Sequence, residues 1–230
     1  MSSSRLPGKV LKSLAGMPMV LRQVERLVRC RRIDRIVVAT STEASDDPLA
    51  EVLELARIEH FRGPLDDVLG RYVGALDAFG PADHVLRLTG DCPLADWSVI
   101  DQVIERHVET GADYVSNTPQ RRHFARGLDA EIVKSEVLLR AASEARTPYD
   151  REHVTPFIYG RPDRFKIGSV TQEADEGDVR WTVDRPDDYE FVAAVYDALY
   201  PDNPAFTSED VRVLVRSRPE LQRLGGDRRV

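Results

Sequence analysis

Cysteine is scarce in this sequence, which contains only Cys30 and Cys92. Two cysteines provide neither a disulfide framework nor the paired spacing of a zinc site, and they agree with a reducing cytoplasm. No Cys-His signature accompanies Cys92, so a small packing residue at a strand end is favoured there over a nucleophile. The sequence therefore predicts a cytoplasmic protein that does not depend on disulfides.

Long apolar runs and an excess of positive charge are also missing. No apolar run could cross a bilayer and no signal peptide is present, so no membrane association is expected. The formal net charge of -7 and the isoelectric point near 5.3 argue against a general nucleic-acid binder. There is no internal repeat and no low-complexity linker, and 230 residues suit one α/β domain, residues 1–230.

What the sequence does have is an alternation of short β-branched runs with amphipathic stretches. This alternation implies right-handed crossovers and a mostly parallel sheet with helices on both faces, which is an α/β fold of Rossmann-like type. The predicted helices are 18–30, 46–57, 65–79, 98–109, 135–145 and 187–199, with another beginning at 208. The predicted strands are 36–39, 58–61, 84–88, 113–116, 128–133, 165–170 and 179–183.

Two aspartates follow predicted buried strands at widely separated places in the chain. Asp91 comes after Val85, Leu86 and Leu88, and Asp184 ends the run that contains Trp181. In open α/β sheets the ligand lies beyond the carboxyl ends of the strands, and carboxylates there suit a hard cation such as Mg²⁺. A helix cap or a turn explains a single aspartate equally well, but two of them, each with a proline close behind, favour a metal site.

Several other polar residues are candidates for binding, each with a structural alternative. Arg5 and Lys9 flank the Pro7-Gly8 turn and could converge on one anion, or they could be solvated charges. Thr40 closes a strand, where its hydroxyl meets a ligand or completes a turn. Two pairs of residues lie further along: Asp129 and Glu131 share one face of a predicted strand, and Glu152 and His153 stand in a dense polar group.

Taken together, blocks of sequence resemble the cytidylyltransferase family that makes CMP-activated acidic sugars, and most closely its spore coat polysaccharide biosynthesis (SpsF) branch. The blocks occur in the family's order and cover nearly the whole chain. They are residues 4–9, 38–42, 61–63, 66–69, 71–72, 88–94, 113–117, 126–129, 151–156 and 181–184.

The resemblance implies a nucleotide-diphospho-sugar transferase fold that binds CTP and Mg²⁺ across the strand ends. It implies Mg²⁺-dependent transfer of CMP to an acidic sugar or related hydroxyl acceptor, with pyrophosphate released, for surface polysaccharide biosynthesis. A homodimer is compatible with it.

The implied catalytic residues are Arg5, Lys9, Asp91 and Asp184, of which Asp91 and Asp184 bind the metal. The implied nucleotide-binding residues are Arg5, Lys9, Thr40, Arg62 and Asp91. The implied acceptor-binding residues, in a lobe at about 117–170, are Arg126, Asp129, Glu131, Arg151, Glu152 and His153.

The amino terminus departs from the family pattern. In the family an apolar strand at the centre of the sheet precedes the arginine-lysine loop, whereas this sequence starts at Met1 without one. A sheet lacking its first strand is therefore expected. Two other functions stay open: glycosyl transfer from a nucleotide sugar on the same fold, and a catalytically silent nucleotide-binding or assembly protein.

Overall fold

Helices and strands alternate along the chain in the computed structural model, which describes residues 5–118, 121–224 and 228–229. Residues 119–120 of the predicted acceptor lobe, and residues 225–227 and 230 near the carboxyl terminus, lie outside the described residues. In the described ranges, no helix combines the length and the apolar character needed to cross a membrane. The α-helices are α1 Met19–Leu27, α2 Asp47–Leu55, α3 Val68–Phe79, α4 Trp97–Thr110, α5 Ser135–Glu144, α6 Pro148–His153, α7 Pro156–Tyr159, α8 Pro186–Leu199 and α9 Ser208–Ser217.

The strands form a hairpin, a parallel pair and a four-stranded sheet. They are β1 Ser13–Leu14, β2 Met17–Pro18, β3 Val38–Ser41, β4 His60–Gly63, β5 His84–Arg87, β6 Tyr114–Ser116, β7 Glu131–Lys134 and β8 Ile167–Ser169. The hairpin joins β1 to β2, β3 runs parallel to β4, and the larger sheet has the order β5-β7-β6-β8. In that sheet only β7 runs against the others, because β5 and β6 are both antiparallel to β7 while β8 is parallel to β6. The predicted α/β class with mostly parallel strands is confirmed.

The pair β3–β4 and the four-stranded sheet are not joined by a ladder of hydrogen bonds among the described residues. Within residues 5–118 no strand precedes Ser13, and no ladder joins β3 to β5. This matches the expectation of a sheet without its first strand. The prediction that β5 is buried is wrong, since Val85 and Leu86 are only half-buried. Their strand is paired with β7 along one edge, so part of their surface stays accessible.

The largest core cluster packs α8 and α9 against the segment that carries Asp184. Trp181, Phe191 and Phe206 are fully buried in it. Smaller clusters lie under α4 and under α5 to α7. These contacts hold the backbone that leads to Asp184 between two helices and the sheet.

Residues 179–183 are extended but do not form the predicted strand ladder. A single parallel bridge joins Arg126 to Arg180, and the amide of Trp181 donates to the carbonyl of Arg126 at 2.7 Å. The alternation that suggested a strand is nevertheless present, because Val179, Trp181 and Val183 are all fully buried. The alternation determines which face each side chain takes, whereas the pairing partner here is a loop.

One expectation about exposed charge is wrong. The pattern of α1 places Arg22 and Arg26 on the outside, but their exposed fractions are 6% and 2%. Both guanidinium groups lie over aromatic rings, Arg22 over Tyr200 and Arg26 over Phe206, so the helix is covered on its polar side as well. The charged tail at 225–230 is expected to fray, and residues 225–227 and 230 of it lie outside the described residues; within it, Arg229 is 1% exposed.

Candidate active site

Lys9 is the centre of the site that the sequence predicts. The turn before it passes through Gly8, whose φ of 67° is in the left-handed region that glycine adopts without strain. The Lys9 ammonium donates to Asp91 Oδ2 at 3.0 Å, to Asp184 Oδ1 at 3.0 Å and to the carbonyl of Val183 at 2.7 Å. The structure therefore brings both predicted aspartates to one cation.

The loops that carry the two aspartates are also joined to each other. The amide of Val183 donates to the Asp91 carbonyl at 2.8 Å, and the hydroxyl of Thr182 reaches the same oxygen at 3.3 Å. Asp91 lies four residues beyond the end of β5, and Asp184 follows the extended segment rather than a regular strand. Their convergence is thus fixed by backbone hydrogen bonds as well as by Lys9.

The charges in this site support one another. Burial alone would lower the pKa of the Lys9 ammonium, but Asp91 and then Asp184 raise its pKa above the ordinary value. Burial alone would raise the pKa of Asp184, but Lys9 and then Arg180 hold its pKa below the ordinary value. Arg5 adds a further positive charge, since its guanidinium lies 3.4 Å from Asp184 Oδ1. Lys9 and Asp184 are therefore both charged at neutral pH.

A divalent cation fits the same pair of carboxylates. The Lys9 ammonium is a stand-in cation, because it already sits within hydrogen-bond distance of both side chains. Among the described residues there is no cluster of three or more His, Cys, Asp or Glu side chains that could hold a metal. Two carboxylates with phosphate and water oxygens are the usual surroundings of Mg²⁺, which rarely takes an all-protein cage.

Two of the residues expected to bind the nucleotide stand side by side on β3 and β4. Thr40 is paired with Arg62 in the parallel ladder. The Thr40 hydroxyl is buried and donates to Asp46 at 2.6 Å, so its present contact closes a turn. Arg62 is half-buried and holds the carbonyls of Ser41 and Glu43 and the carboxylate of Asp47. Both stay predicted nucleotide-binding residues, at the carboxyl end of their strands.

The residues expected to bind the acceptor fall into separate groups. Arg126 is exposed beside the bridge to Arg180, while Asp129 is half-buried and paired with Arg122. Glu131 is buried, and its carboxylate accepts from Arg87 at 2.7 Å and from Tyr114 at 2.9 Å. Within this first group, Arg126 alone is exposed, whereas Asp129 and Glu131 are held by ion pairs.

The α6 residues form a second group. Arg151 donates to the Ala142 carbonyl at 2.7 Å and pairs with Asp67, so it ties α6 to α5 and to the start of α3. Glu152 and His153 are exposed, and His153 meets the ring of Tyr149 edge-on. Two of the three are therefore accessible, and the third is engaged in a structural contact.

Sequence reasoning missed the residues that hold Asp184 from behind. Arg180 donates to Asp184 Oδ2 at 2.7 Å, and Asp188 accepts from the backbone amide of Asp184 at 2.9 Å. Asp188 could be noticed only as an acidic residue in the first turn of α8, where it interacts with the free backbone amides. Nothing in the local pattern indicates Arg180.

Charged side chains gathered on loops at the ends of strands, in a mostly parallel α/β fold, are typical of an α/β protein that binds an anionic ligand at that edge of the sheet. The family model described as "Cytidylyltransferase" matches residues 1–216. The chain therefore belongs to the cytidylyltransferase family and is an enzyme of that kind.

Individual relatives agree with the family match. The chain is 30% identical to spore coat polysaccharide biosynthesis protein SpsF of Bacillus subtilis, over 96% of this chain and 92% of that protein. It is similar to a cytidylyltransferase structure from Leptospira borgpetersenii, with a TM-score of 0.88 and 30% identity over 96% of this chain and 92% of that one. A CMP:2-keto-3-deoxy-manno-octonic acid synthetase solved with CTP shares the fold, with a TM-score of 0.62 and 16% identity over 85% and 94% of the two chains.

Proposed function

We propose that this enzyme transfers CMP from CTP to a hydroxyl group of an acidic sugar or related acceptor, releasing pyrophosphate, with Mg²⁺ as its cofactor. The observation that carries the proposal is the contact of Lys9 with both Asp91 and Asp184. The names of two similar proteins support it: one refers to spore coat polysaccharide biosynthesis, and the other to a CMP-sugar-acid synthetase solved with CTP. We place the product in surface polysaccharide synthesis on the same grounds.

At the α-phosphorus the reaction makes one bond and breaks one. The oxygen of the acceptor hydroxyl attacks the α-phosphorus of CTP in line, the bond from that phosphorus to the oxygen bridging to the β-phosphate breaks, and the hydroxyl proton passes to solvent. Such chemistry depends on positioning the reactants and on neutralising the negative charge of the phosphates. Arg5 and Lys9 supply positive charge for the departing pyrophosphate, with Lys9 exchanging a carboxylate partner for a phosphate oxygen.

Asp91 and Asp184 would hold the Mg²⁺ ion. When bound, the ion supplies charge neutralisation on the phosphate oxygens. The acidic group of the acceptor needs a cation of its own. Arg126 is suitable because it is exposed and its backbone forms a β-bridge with that of Arg180, which contacts Asp184. The acceptor would thus approach from the side of the 117–170 lobe.

The first experiment measures pyrophosphate release with CTP, Mg²⁺ and a panel of sugar acids. In the Asp91→Asn variant we expect the rate to fall by about 100-fold or more, because one of the two carboxylates that would hold Mg²⁺ is lost and the phosphate charge is then less well neutralised. The unfolding midpoint should change little, since a half-exposed carboxyl becomes an amide of the same size. Asp202→Asn, at an exposed turn, is the matched control and should keep the wild-type rate.

Other outcomes distinguish the alternatives. Full activity of Asp91→Asn would contradict the metal role. Release of nucleoside diphosphate from a nucleotide sugar, without pyrophosphate release from CTP, would favour glycosyl transfer. A folded protein whose melting temperature does not respond to CTP and Mg²⁺ would favour a catalytically silent protein, because a ligand that binds the native state must stabilise it.

A further inference from the structure

Arg229 is buried against the segment that leads to Asp184, far from it in sequence. Its guanidinium donates to the carbonyls of Leu224 at 2.8 Å and Arg180 at 2.7 Å, and to Asp188 Oδ1 at 3.0 Å. Its own carbonyl accepts from the Trp181 indole at 2.7 Å. A side chain that is 1% exposed and held by this many partners is part of the interior, not a solvated charge.

Asp188 links Arg229 to the candidate active site. One of its carboxylate oxygens accepts from Arg229 and from Arg180 Nε, each at 3.0 Å. The other accepts from Arg180 Nη2 at 3.0 Å and from the backbone amides of Asp184 and Arg185, each at 2.9 Å. Asp188 therefore fixes both the backbone at Asp184 and the guanidinium that touches the Asp184 side chain.

Arg180 then determines how the Asp184 carboxylate is turned. It donates to Asp184 Oδ2 at 2.7 Å, while Asp184 Oδ1 contacts Lys9. Arg180, Arg229, Asp184 and Asp188 carry two positive and two negative charges, so the cluster is balanced. A balanced buried cluster of this kind is costly to assemble, and well-packed apolar residues are often as stable in its place. Its value lies in the fixed orientation that it gives to the one carboxylate facing the site.

We propose that Arg229, Asp188 and Arg180 form a positioning chain that orients Asp184 for the metal and triphosphate, so that the 228–229 segment supports the active site. This inference rests on the proposed function. The three residues act through Asp184 and do not themselves touch the substrate. Residues that hold a metal ligand from behind typically change metal affinity by tenfold or more when they are replaced.

The test compares Arg229→Met with Arg228→Met in the 230-residue chain. Arg228 is the matched control, because its guanidinium forms an ion pair with Asp178 in which both side chains are about half exposed or more. Mn²⁺ binding in the presence of CTP is measured by the loss of the free-ion electron paramagnetic resonance signal. The Mg²⁺ concentration for half-maximal pyrophosphate release and the dissociation constant of CTP without metal are measured as well.

For Arg229→Met we expect metal binding to weaken by about tenfold and the Mg²⁺ requirement to rise by a similar factor, with CTP binding without metal unchanged. Arg228→Met should stay within about twofold of wild type in all three, since its exposed pair contributes little. Arg229→Lys, which keeps the charge, should recover part of the metal affinity. A purely structural role would instead change the unfolding midpoint and leave the metal affinity of the folded fraction unaltered.

Arg180→Lys keeps the test decisive if Arg229→Met does not fold. It retains the charge but removes the fork that holds Asp184 and Asp188 together, so metal binding should weaken here too. If the folded variants bind Mn²⁺ as tightly as wild type, the positioning chain is wrong while the proposed function stands. A wild-type protein that binds Mn²⁺ with CTP but releases no pyrophosphate would contradict the proposed function, and the variants would still decide the positioning role.

Discussion

At the scale of single residues, the position of Lys9 has a consequence for metal binding. Its ammonium occupies the space between two carboxylates that we assign to Mg²⁺. If Mg²⁺ binds here as proposed, the metal ion and the Lys9 ammonium would compete for the same carboxylate oxygens, and Lys9 would give up at least one of them. The ammonium would then be free to contact a phosphate oxygen.

Replacing Lys9 with Met should make the ligand-free protein more dependent on divalent metal. Without the ammonium the two carboxylates repel each other, and we expect about 2 kcal/mol of stability to be lost in the presence of a chelator. Added Mg²⁺ should then raise the melting temperature of Lys9→Met more than that of wild type, because the ion no longer competes with the ammonium. Differential scanning calorimetry with and without Mg²⁺ measures both effects.

Lys12→Met is the control for this comparison. Lys12 lies three residues along the chain, and its ammonium stands over the ring of Tyr189 at 4.6 Å. Its replacement should leave the response to Mg²⁺ as in wild type. Equal Mg²⁺ responses of Lys9→Met and wild type would mean that Lys9 and the metal do not compete for Asp91 and Asp184.

At the scale of helices and strands, the buried carboxylate of Asp96 accepts hydrogen bonds from backbone amides at the starts of two helices. Asp96 Oδ1 accepts from the Ser98 amide at 2.8 Å at the start of α4, and Asp96 Oδ2 accepts from the Ser208 amide at 2.6 Å at the start of α9. The side chain is 1% exposed. Burial alone would raise its pKa, but the hydrogen bonds from Ser98 and Ser208 hold the pKa below the ordinary value. The charged carboxylate thereby links the start of α4 to the start of α9.

Asp96→Ala should therefore cost more than the loss of an ordinary helix cap. We expect the free energy of unfolding to fall by about 3 kcal/mol, because one cap is lost and the Ser208 amide is left buried without its partner. Urea unfolding followed by circular dichroism measures the change. Thr207→Ala removes only a cap of α9 and should cost about 1 kcal/mol. A cost of Asp96→Ala no greater than that of Thr207→Ala would show that the link between the helices is weak.

The elements themselves were largely predictable from the sequence, and the reasons are local. The apolar spacing of α4 and the Gly111 that ends it lie within one window of residues, so both ends of the helix were placed correctly to within one residue. Residues 179–183 show where local pattern fails. Their alternation is satisfied by burial, but the partner of the segment is the loop at Arg126, and no short window contains that information.

The same distinction holds for the active site. Lys9, Asp91 and Asp184 were brought together by the rule that ligands lie beyond strand ends, together with the family resemblance. Arg180 lies only four residues before Asp184, but no motif in the sequence marks it as a partner of that carboxylate. Arg229 was missed because its contact with the carbonyl of Arg180 joins residues separated by 49 positions in the chain. Ion pairs between distant segments follow no spacing rule, and their members look like ordinary surface charges until the chain is folded.

At the scale of the whole molecule, one buried histidine makes folding stability depend on pH. His107, on α4, is 1% exposed, and its Nε2 lies 3.0 Å from Nδ1 of His84 on β5. Burial, followed by electrostatic interactions with His84 and Lys134, lowers the pKa of His107 to about 4, although Asp113 acts in the opposite direction. The native protein therefore holds this ring neutral between β5 and α4.

The direction of the pH effect follows from where each state takes up its proton. His107 in the unfolded chain is protonated near pH 6.5, but in the folded protein only near pH 4. Its contribution to stability is therefore complete above pH 6.5, and it is lost as the pH falls toward 4, by about 2 to 3 kcal/mol in total.

His107→Gln, which keeps a donor for His84, should lose less stability over that range than wild type. Urea unfolding at pH 7.5 and 4.5 gives the comparison, and His153→Gln, at an exposed histidine, should behave as wild type. Equal losses for wild type and His107→Gln would mean that His107 is protonated as readily in the native state as in the unfolded chain.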